Sequence, residues 1–175
     1  MSTQQQRQRG INLIEIVVAM SIAAISLAVG VPSFQNLRIS SDRSSAIIEL
    51  VSSARLARSE AALRGTPASI CTSTDGKTCS GSREWADGWL IFRDDNGDHD
   101  YNDSDDTLVK QVRFRNPQFT ITAISGITDR ITFRQFGFVN PPQAPGKIQY
   151  KDSQETRCLD LTFIGRFNVS TGDCS

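Results

Sequence analysis

An acidic loop between two apolar segments carries the oxygen-rich side chains that could bind a metal ion. Carboxylates and amides occupy positions 1, 3, 5, 7, 9 and 12 of a loop of EF-hand length, at Asp94, Asn96, Asp98, Asp100, Asn102 and Asp105. Oxygen ligands at this spacing suit Ca²⁺, but position 6 favours Gly in such loops and is His99 here. The flanking segments also have the pattern of strands rather than helices. The alternative is a solvated turn whose Asp and Asn side chains bond their own backbone.

The second group of residues with possible chemistry is four cysteines, which can form covalent bonds: Cys71, Cys79, Cys158 and Cys174. An even number of cysteines in an exported chain favours disulfides. Of the three possible pairings, we favour Cys71–Cys79 and Cys158–Cys174, because each pair is close in sequence and brackets turn-rich residues. A zinc site is the alternative, although CxxC pairs are missing and the chain has one His.

Side chains arranged for catalysis are hard to find. His99 is the single His, no Ser lies in a nucleophile-elbow pattern, and no Gly-rich phosphate loop is present. Lys plus Arg and Asp plus Glu are equal at 19 each, so no overall charge selects nucleic acid or an anionic surface. We therefore predict that the chain is not an enzyme and, calcium apart, uses no cofactor.

A long apolar segment near the N-terminus contains one carboxylate. Residues 7–31 are RQRGINLIEIVVAMSIAAISLAVGV, in which a basic leader ends at Gly10 and a run of membrane-spanning length follows. An acid such as Glu15 costs roughly 2.5–3.5 kcal/mol inside a membrane, so its presence requires a role. An ordinary cleaved signal peptide has no carboxylate in its apolar core. A plain membrane anchor explains the length, but gives no role to Glu15 or to the Gly10 junction.

The pattern after Ser33 predicts that this segment continues as an amphipathic helix. Apolar residues recur every three or four positions, at Ile47, Leu50, Val51, Ala54, Ala57 and Ala61. Charged residues mostly take the other positions, at Arg43, Glu49, Arg55, Arg58 and Glu60. Gly30 and Pro32 are expected to interrupt or kink the helix, and Gly65 followed by Pro67 to end it. One helix of about 50 residues, with a core-facing stripe, is therefore predicted.

Beyond the helix the apolar period changes to two, which is typical of strands. The predicted strands are Ala68–Thr72, Gly88–Arg93, Leu108–Arg115, Phe119–Ile124, Arg130–Phe136, Lys147–Tyr150 and Cys158–Phe163. Pro141, Pro142 and Pro145 indicate a loop. Short strands joined by turns favour antiparallel sheets, and the helix would cover one face. The predicted fold class is α+β.

The N-terminal segment resembles the processing site and helix of type IV pilin-like proteins. The matching residues are Gly10, Ile11, Glu15 and Pro32, while Ile11 and Asn12 stand where the family more often has Phe and Thr. The resemblance implies that a prepilin peptidase cuts between Gly10 and Ile11 and that Ile11 is then N-methylated. It also implies that Glu15 pairs with the N-terminal amine of a neighbouring subunit. Residues 1–10 would be a cleaved leader, 11–32 the membrane and filament-core half of the helix, and 33–175 a periplasmic pilin head.

The middle of the chain narrows the resemblance to the GspH/FimT family of minor pilins and pseudopilins, and to its FimU/FimT type. The motif Trp85-Ala-Asp-Gly-Trp89 leads into a hydrophobic strand and the D-x-N-G-D loop Asp94-Asp-Asn-Gly-Asp98. The resemblance implies a pilin fold, with a long helix on a β-rich head of antiparallel sheets. It implies a minor pilin that primes a type IV pilus with other minor pilins and the major pilin. Such a protein is held in the inner membrane and ends at or near the pilus tip. An H-type pseudopilin of a type II secretion system is the alternative.

DNA capture for natural transformation is a further alternative. Some family members bind DNA through Gly-Arg-x-Arg, which here corresponds to Gly165, Arg166, Phe167 and Asn168, without the second Arg. Other basic residues could add to a patch: Arg113, Arg115, Arg130, Arg134, Lys147, Lys151 and Arg157. Loss of residues 1–10 removes Arg7 and Arg9 and leaves 17 basic against 19 acidic side chains. Because phosphate contacts dominate non-specific DNA affinity, weak binding is expected.

Overall fold

Within residues 12–114 and 117–175, which the computed structural model describes, one long helix precedes eight strands. The chain divides into two compact units, Met1–Ser40 and Ser41–Ser175. The elements are α1 Leu13–Arg64, β1 Ala68–Thr72, β2 Gly88–Arg93, β3 Thr107–Arg113, β4 Thr120–Ser125, β5 Arg130–Phe133, β6 Gly146–Lys151, β7 Thr156–Leu161 and β8 Phe167–Thr171.

The helix α1 is 52 residues long, which confirms the predicted length. It begins where the carbonyl of Asn12 accepts hydrogen bonds from the backbone N–H groups of Glu15 and Ile16, at 3.0 and 3.3 Å. It ends at Arg64, and the next residue, Gly65, has a φ of 70°. The expected interruption at Gly30 and Pro32 is wrong, because α1 is continuous through both residues, while the alternative of a kink there stays a prediction. A proline removes one backbone hydrogen bond, and the other turns of a helix this long maintain it.

The part of α1 in the second unit packs on the sheets through a stripe of small apolar residues. Ala46, Leu50, Ala54, Ala57 and Ala61 are fully buried, while Ile47 and Val51 are partly buried against the same core. The predicted core-facing stripe is therefore confirmed. Alanine side chains allow the helix to lie close to the sheets, where two large indoles, those of Trp85 and Trp89, are also fully buried.

Arg43 does not lie on the solvent face, where the sequence placed it. Its side chain is buried and donates hydrogen bonds from Nε and Nη2 to the carboxylate of Asp152, at 2.8 and 3.1 Å. Glu155 accepts a third hydrogen bond, from Nη1, at 2.5 Å. A buried guanidinium needs such partners, because an unpaired charge in the interior is costly.

Two four-stranded antiparallel sheets form the head, in the orders β3-β2-β1-β5 and β4-β6-β7-β8. The predicted β1 and β2 have the observed bounds, and the other predicted strands overlap the observed ones. The prediction extended β5 to Phe136, whereas the strand ends at Phe133 before a turn. Strand β8 was missed. Most of its residues are exposed, so it lacks a hydrophobic alternation, and pairing with β7 defines it.

Aromatic side chains connect the two sheets through the core. The ring centroids of Trp85 and Trp89 lie 6.2 Å apart, and those of Trp89 and Phe114 lie 5.5 Å apart. The centroid distance is 5.3 Å between Phe114 and Phe119 and 5.2 Å between Phe119 and Tyr150. Edge-to-face and tilted aromatic pairs stabilise beyond their buried area. The Trp-containing central motif is therefore part of the core of the head.

Candidate functional site

The N-terminal part of α1 presents a hydrophobic surface that the chain itself does not cover. Every side chain from residue 12 to residue 28 is exposed, and the exposed fraction of Leu13 reaches 77%. An apolar surface of this extent marks a contact with lipid or with other apolar helices. The helix is also long and apolar enough to cross a membrane, which fits the single-pass anchor of a pilin.

The serines in this apolar segment satisfy their own hydroxyl groups. Ser21 donates to the carbonyl of Val17 at 2.7 Å, and Ser26 donates to the carbonyl of Ile22 at 2.9 Å. Both bonds run to the preceding turn of the helix, so neither hydroxyl depends on water. This part of the helix can therefore lie in lipid or among other helices without leaving these donors unpaired.

Glu15 is the acidic residue in the first turn of α1, and its side chain is exposed. The backbone N–H groups at a helix N-terminus favour a nearby negative charge. Gly10 and Ile11, the residues of the predicted cleavage site, lie outside the described residues. Pro32 lies within the continuous helix. The processing and assembly roles of these four residues stay predictions.

Both disulfides favoured from the sequence are present. Cys71 is bonded to Cys79, and Cys158 to Cys174. Cys71 belongs to a small apolar cluster with Leu90 and Phe92, whose neighbours along the strands, Ile70, Trp89 and Ile91, belong to the main core instead. The bond from Cys158 to Cys174 connects β7 to the segment after β8. The four cysteines therefore have structural roles, and the zinc alternative is wrong.

The acidic loop is organised around the buried carboxylate of Asp94. This carboxylate accepts hydrogen bonds from Gly97 N at 2.7 Å, from His99 N at 3.1 Å and from His99 Nδ1 at 2.8 Å. His99 has a φ of 66°, so the sharp turn is formed here by a residue other than Gly. The ring and backbone contacts to Asp94 hold His99 in this conformation, which few non-glycine residues adopt.

The other residues of the predicted calcium set also bond within the loop. Asp98 accepts from Asn96 Nδ2 and from Asp100 N, while Asp105 accepts from Asn102 Nδ2. In the part of the chain that the structure describes, no three His, Cys, Asp or Glu side chains are grouped to hold a metal. The loop geometry therefore fits the self-bonded turn better than a calcium site, and calcium binding stays an untested prediction.

The basic residues considered for DNA lie on both sheets of the head. Arg113 and Arg130 belong to the first sheet, whereas Lys147, Lys151 and Arg157 belong to the second. Several of them also have partners within the head: Arg130 with Asp129 at 2.9 Å, and Arg157 with Glu155 at 2.9 Å. Arg115 lies outside the described residues. Arg134, on the turn after β5, donates from Nε to Asn140 Oδ1 at 2.8 Å. The described candidates therefore lie on several elements of both sheets, and those with partners in the head are less available to a phosphate backbone.

Arg166 lies beside two arginines of α1 that the helical pattern predicts to be outside the apolar stripe. Arg55, Arg58 and Arg166 line one pocket of about 130 Å³, together with Val51, Gly165 and Phe167. Arg55 and Arg58 are three positions apart and therefore share a helix face. That spacing was visible in the sequence, but the proximity of Arg166 arises from the tertiary fold.

Two crystal forms of the type IV minor pilin FimU from Pseudomonas aeruginosa are similar to the chain. The P21 form is 22% identical with a TM-score of 0.54, covering 73% of this chain and 87% of FimU. The P65 form is 21% identical with a TM-score of 0.50, covering 73% and 91% respectively. These likenesses show that the chain has the pilin fold.

No curated protein sequence matches this chain significantly. A family model does match: that of the type II transport protein GspH, over residues 46–165, which is more than half of the chain. The match spans the core-facing part of α1, both sheets up to β7, and the turn that contains Gly165. The chain belongs to the GspH family of pilin-like proteins.

Proposed function

We propose that the chain is a minor pilin of a type IV pilus in a Gram-negative bacterium. It is held in the inner membrane with its head in the periplasm, primes a filament together with other minor pilins and the major pilin, and ends at or near the tip. Pilin-family proteins are structural, which agrees with the prediction that the chain is not an enzyme. The pilin fold and the GspH family support this proposal.

The observation that carries the proposal is the uncovered apolar helix. The second unit has a complete core of its own, yet every side chain of residues 12–28 is exposed. A helix that must be covered first by lipid and later by other helices explains both facts. In this proposal residues 1–10 are removed, and residues 11–32 form the membrane and filament-core segment.

Glu15 provides register in the proposed assembly. A carboxylate among packed apolar helices is tolerated when a cation neutralises it. The N-terminal amine of a neighbouring subunit, freed by cleavage before Ile11 and then methylated, is that cation. Pairing of one carboxylate with one amine fixes how far a subunit slides along its neighbour.

The experiment is a co-purification from cells that produce the full-length chain as wild type, Glu15→Gln or Glu60→Gln. Glu60 is a matched control, because it is a glutamate of the same helix with only a weak contact, 3.7 Å, to Arg64. Mass spectrometry reports both the N-terminus and the captured subunits. We expect the chain to start at methylated Ile11. Wild type and Glu60→Gln should capture other pilins, whereas Glu15→Gln should not. An uncut N-terminus with no pilin partners would overturn the proposal.

The second candidate function is that of an H-type pseudopilin in a type II secretion system. The description of the matching family as a type II transport protein favours it. The same co-purification separates the two functions. Secretion pseudopilins among the captured subunits would favour this candidate, and pilus subunits would favour the first.

DNA capture stays a third candidate, and Arg166 is its strongest residue. Binding that weakens as salt rises and is lost in Arg166→Ala would favour it. The pairing of Arg130 and Arg157 with carboxylates of the head argues against it.

A further inference from the structure

The side chain of Arg58 passes between two tight turns at one end of the head. One turn contains Gly137, with a φ of 77°, and the other contains Gly165, with a φ of 74°. A Cβ atom at Gly137 would lie 3.0 Å from Arg58 Cγ, and one at Gly165 would lie 3.3 Å from Arg58 Cδ. The two turns are also joined directly, since Val139 N donates to Phe163 O at 3.0 Å. The apolar part of Arg58 is therefore held between them.

Arg55, Arg58 and Arg166 line a pocket next to this contact, and no carboxylate of the described residues neutralises them. Among the described residues, no carboxylate forms an ion pair with Arg55, Arg58 or Arg166, whereas Arg43 on the same helix has two carboxylate partners. Like charges that share a pocket repel each other, and a carboxylate in their midst would relieve the repulsion. The cavity of about 130 Å³ accommodates one such group.

Exposed apolar side chains flank the pocket on the same two turns. Phe136 and Phe138 are exposed by 74% and 53%, and Phe163 by 55%. Ile164, next to the pocket residue Gly165, is exposed by 44%. Exposed aromatic groups beside a charged pocket are typical of surfaces that bind another protein.

We propose that this end of the head is a docking surface for an acidic segment of a second pilin subunit. One carboxylate of that segment enters the pocket of Arg55, Arg58 and Arg166, and its apolar neighbours cover Phe136, Phe138 and Phe163. A bidentate arginine–carboxylate contact supplies orientation, and the phenylalanines supply buried area. The inference rests on the proposed function, since it takes the partner to be a subunit of the same filament.

The geometry favours a protein partner over a nucleic acid. A phosphate backbone requires a succession of cations along a groove. Here exposed phenylalanines lie on the turns beside the arginine pocket, and Arg134, on the same turn as Phe136, already donates a hydrogen bond to Asn140 Oδ1. The chain without residues 1–10 has 17 basic and 19 acidic side chains, so no surrounding field adds to the attraction of a polyanion.

The test is photo-crosslinking in cells that assemble the filament, with a photoreactive phenylalanine analogue at position 163 of the full-length chain. The same chain is examined with Arg166→Glu, with Arg55→Glu, and with Arg83→Glu as a control. Arg83 is exposed and does not line the pocket. Formation of both disulfides, followed by alkylation, verifies that each variant has folded.

We expect an adduct with another pilin subunit, through a peptide that contains Asp or Glu. Arg166→Glu and Arg55→Glu should each reduce it about tenfold or more, and Arg83→Glu should leave it unchanged. Replacement of the partner's carboxylate by Lys should restore the adduct of Arg166→Glu.

A nuclease-sensitive adduct, an adduct between two copies of this chain, an adduct insensitive to Arg166→Glu, or no adduct would each overturn the inference. The two proposals fail differently. If the Glu15 experiment captures no pilins, the proposed function fails. If it captures pilins but the amount of adduct does not change in Arg55→Glu and Arg166→Glu, only the docking surface fails.

Discussion

Arg43 and Asp152 are joined by two hydrogen bonds to the two oxygens of one carboxylate, at 2.8 and 3.1 Å, across 109 positions of sequence. The contact attaches α1 to the turn between β6 and β7, and the Asp152 side chain is 1% exposed. Tyr150 adds a hydrogen bond to the same carboxylate at 3.2 Å. Because the pair is shielded from water, loss of Arg43 leaves the charge of Asp152 in the head without its cation.

Replacement of Arg43 by Met should therefore destabilise the head. We expect Arg43→Met to lower the free energy of unfolding by about 3 kcal/mol, since Asp152 loses its main partner. Denaturant unfolding of the full chain in detergent, followed by the near-ultraviolet signal of the buried tryptophans, measures this change. Arg83→Met, at an exposed position, should change the free energy by no more than about 0.5 kcal/mol. Equal effects of the two substitutions would contradict the role of the pair.

The same carboxylate should make stability depend on pH. Burial alone raises the pKa of Asp152, but hydrogen bonds from Arg43 and from the backbone N–H groups of Gln154 and Glu155 outweigh burial and leave the pKa below its ordinary value. The unfolded chain therefore takes up the proton first as the pH falls. The stabilisation is complete above the ordinary carboxyl range and is lost as the pH falls below about 4.

Comparison of wild type with Asp152→Asn isolates this effect, because all other carboxylates are common to both. Between about pH 6 and pH 3, we expect the free energy of unfolding to fall more steeply for wild type than for Asp152→Asn. Parallel curves in denaturant titrations would show that Asp152 is not held in its charged form by the fold.

Gly165 should tolerate a methyl group less well than Gly65. Both have a positive φ, of 74° and 70°, but a Cβ at Gly165 would lie 2.6 Å from Phe133 Cε1, while Gly65 has no neighbouring atom within 4 Å. Backbone strain alone should cost Gly65→Ala about 1 kcal/mol. Gly165→Ala should cost about 2 kcal/mol more, because the β7–β8 turn must also move away from the Phe133 ring. Thermal unfolding of the two variants measures the difference, and equal midpoints would remove the steric argument.

Calcium should leave the head unchanged. The carboxylates of Asp94, Asp98 and Asp105 accept hydrogen bonds from within the loop, and binding of a cation would require these bonds to break. We expect the thermal midpoint of the full chain in detergent to be the same in millimolar Ca²⁺, in Mg²⁺ and in chelator. A rise with Ca²⁺ alone, abolished by Asp98→Asn, would establish the site that the loop spacing predicts.

The sequence predicted correctly those features that depend on neighbouring residues, such as apolar strands and the end of a helix. The strands Ala68–Thr72 and Gly88–Arg93 are apolar, bounded by turn residues and fully predicted. Gly65 ends α1 because a glycine accepts the left-handed conformation of a helix end. The helical period also indicates where Arg43 lies. Arg43 precedes Ala46 and Leu50 by three and seven positions, which places it on the buried stripe.

Features that depend on distant partners could not be predicted in this way. Strand β8 is mostly exposed and exists because it pairs with β7. The arginine pocket joins Arg55 and Arg58 to a residue more than a hundred positions later, Arg166. In the acidic loop the local spacing predicted a metal site. The fold instead directs the carboxylate of Asp94 inward, where it accepts hydrogen bonds from Gly97 and His99.

The bond between Cys158 and Cys174 has a mechanical consequence. An edge strand under load detaches from its sheet pair by pair, starting from its free end. For β8, which ends at Thr171, that end is tied at Cys174 to the neighbouring strand, through Cys158. Pulling on the C-terminus therefore loads a covalent bond rather than the outermost hydrogen bonds of the sheet. The exposed edge of the head keeps its shape under tension for as long as this disulfide is intact.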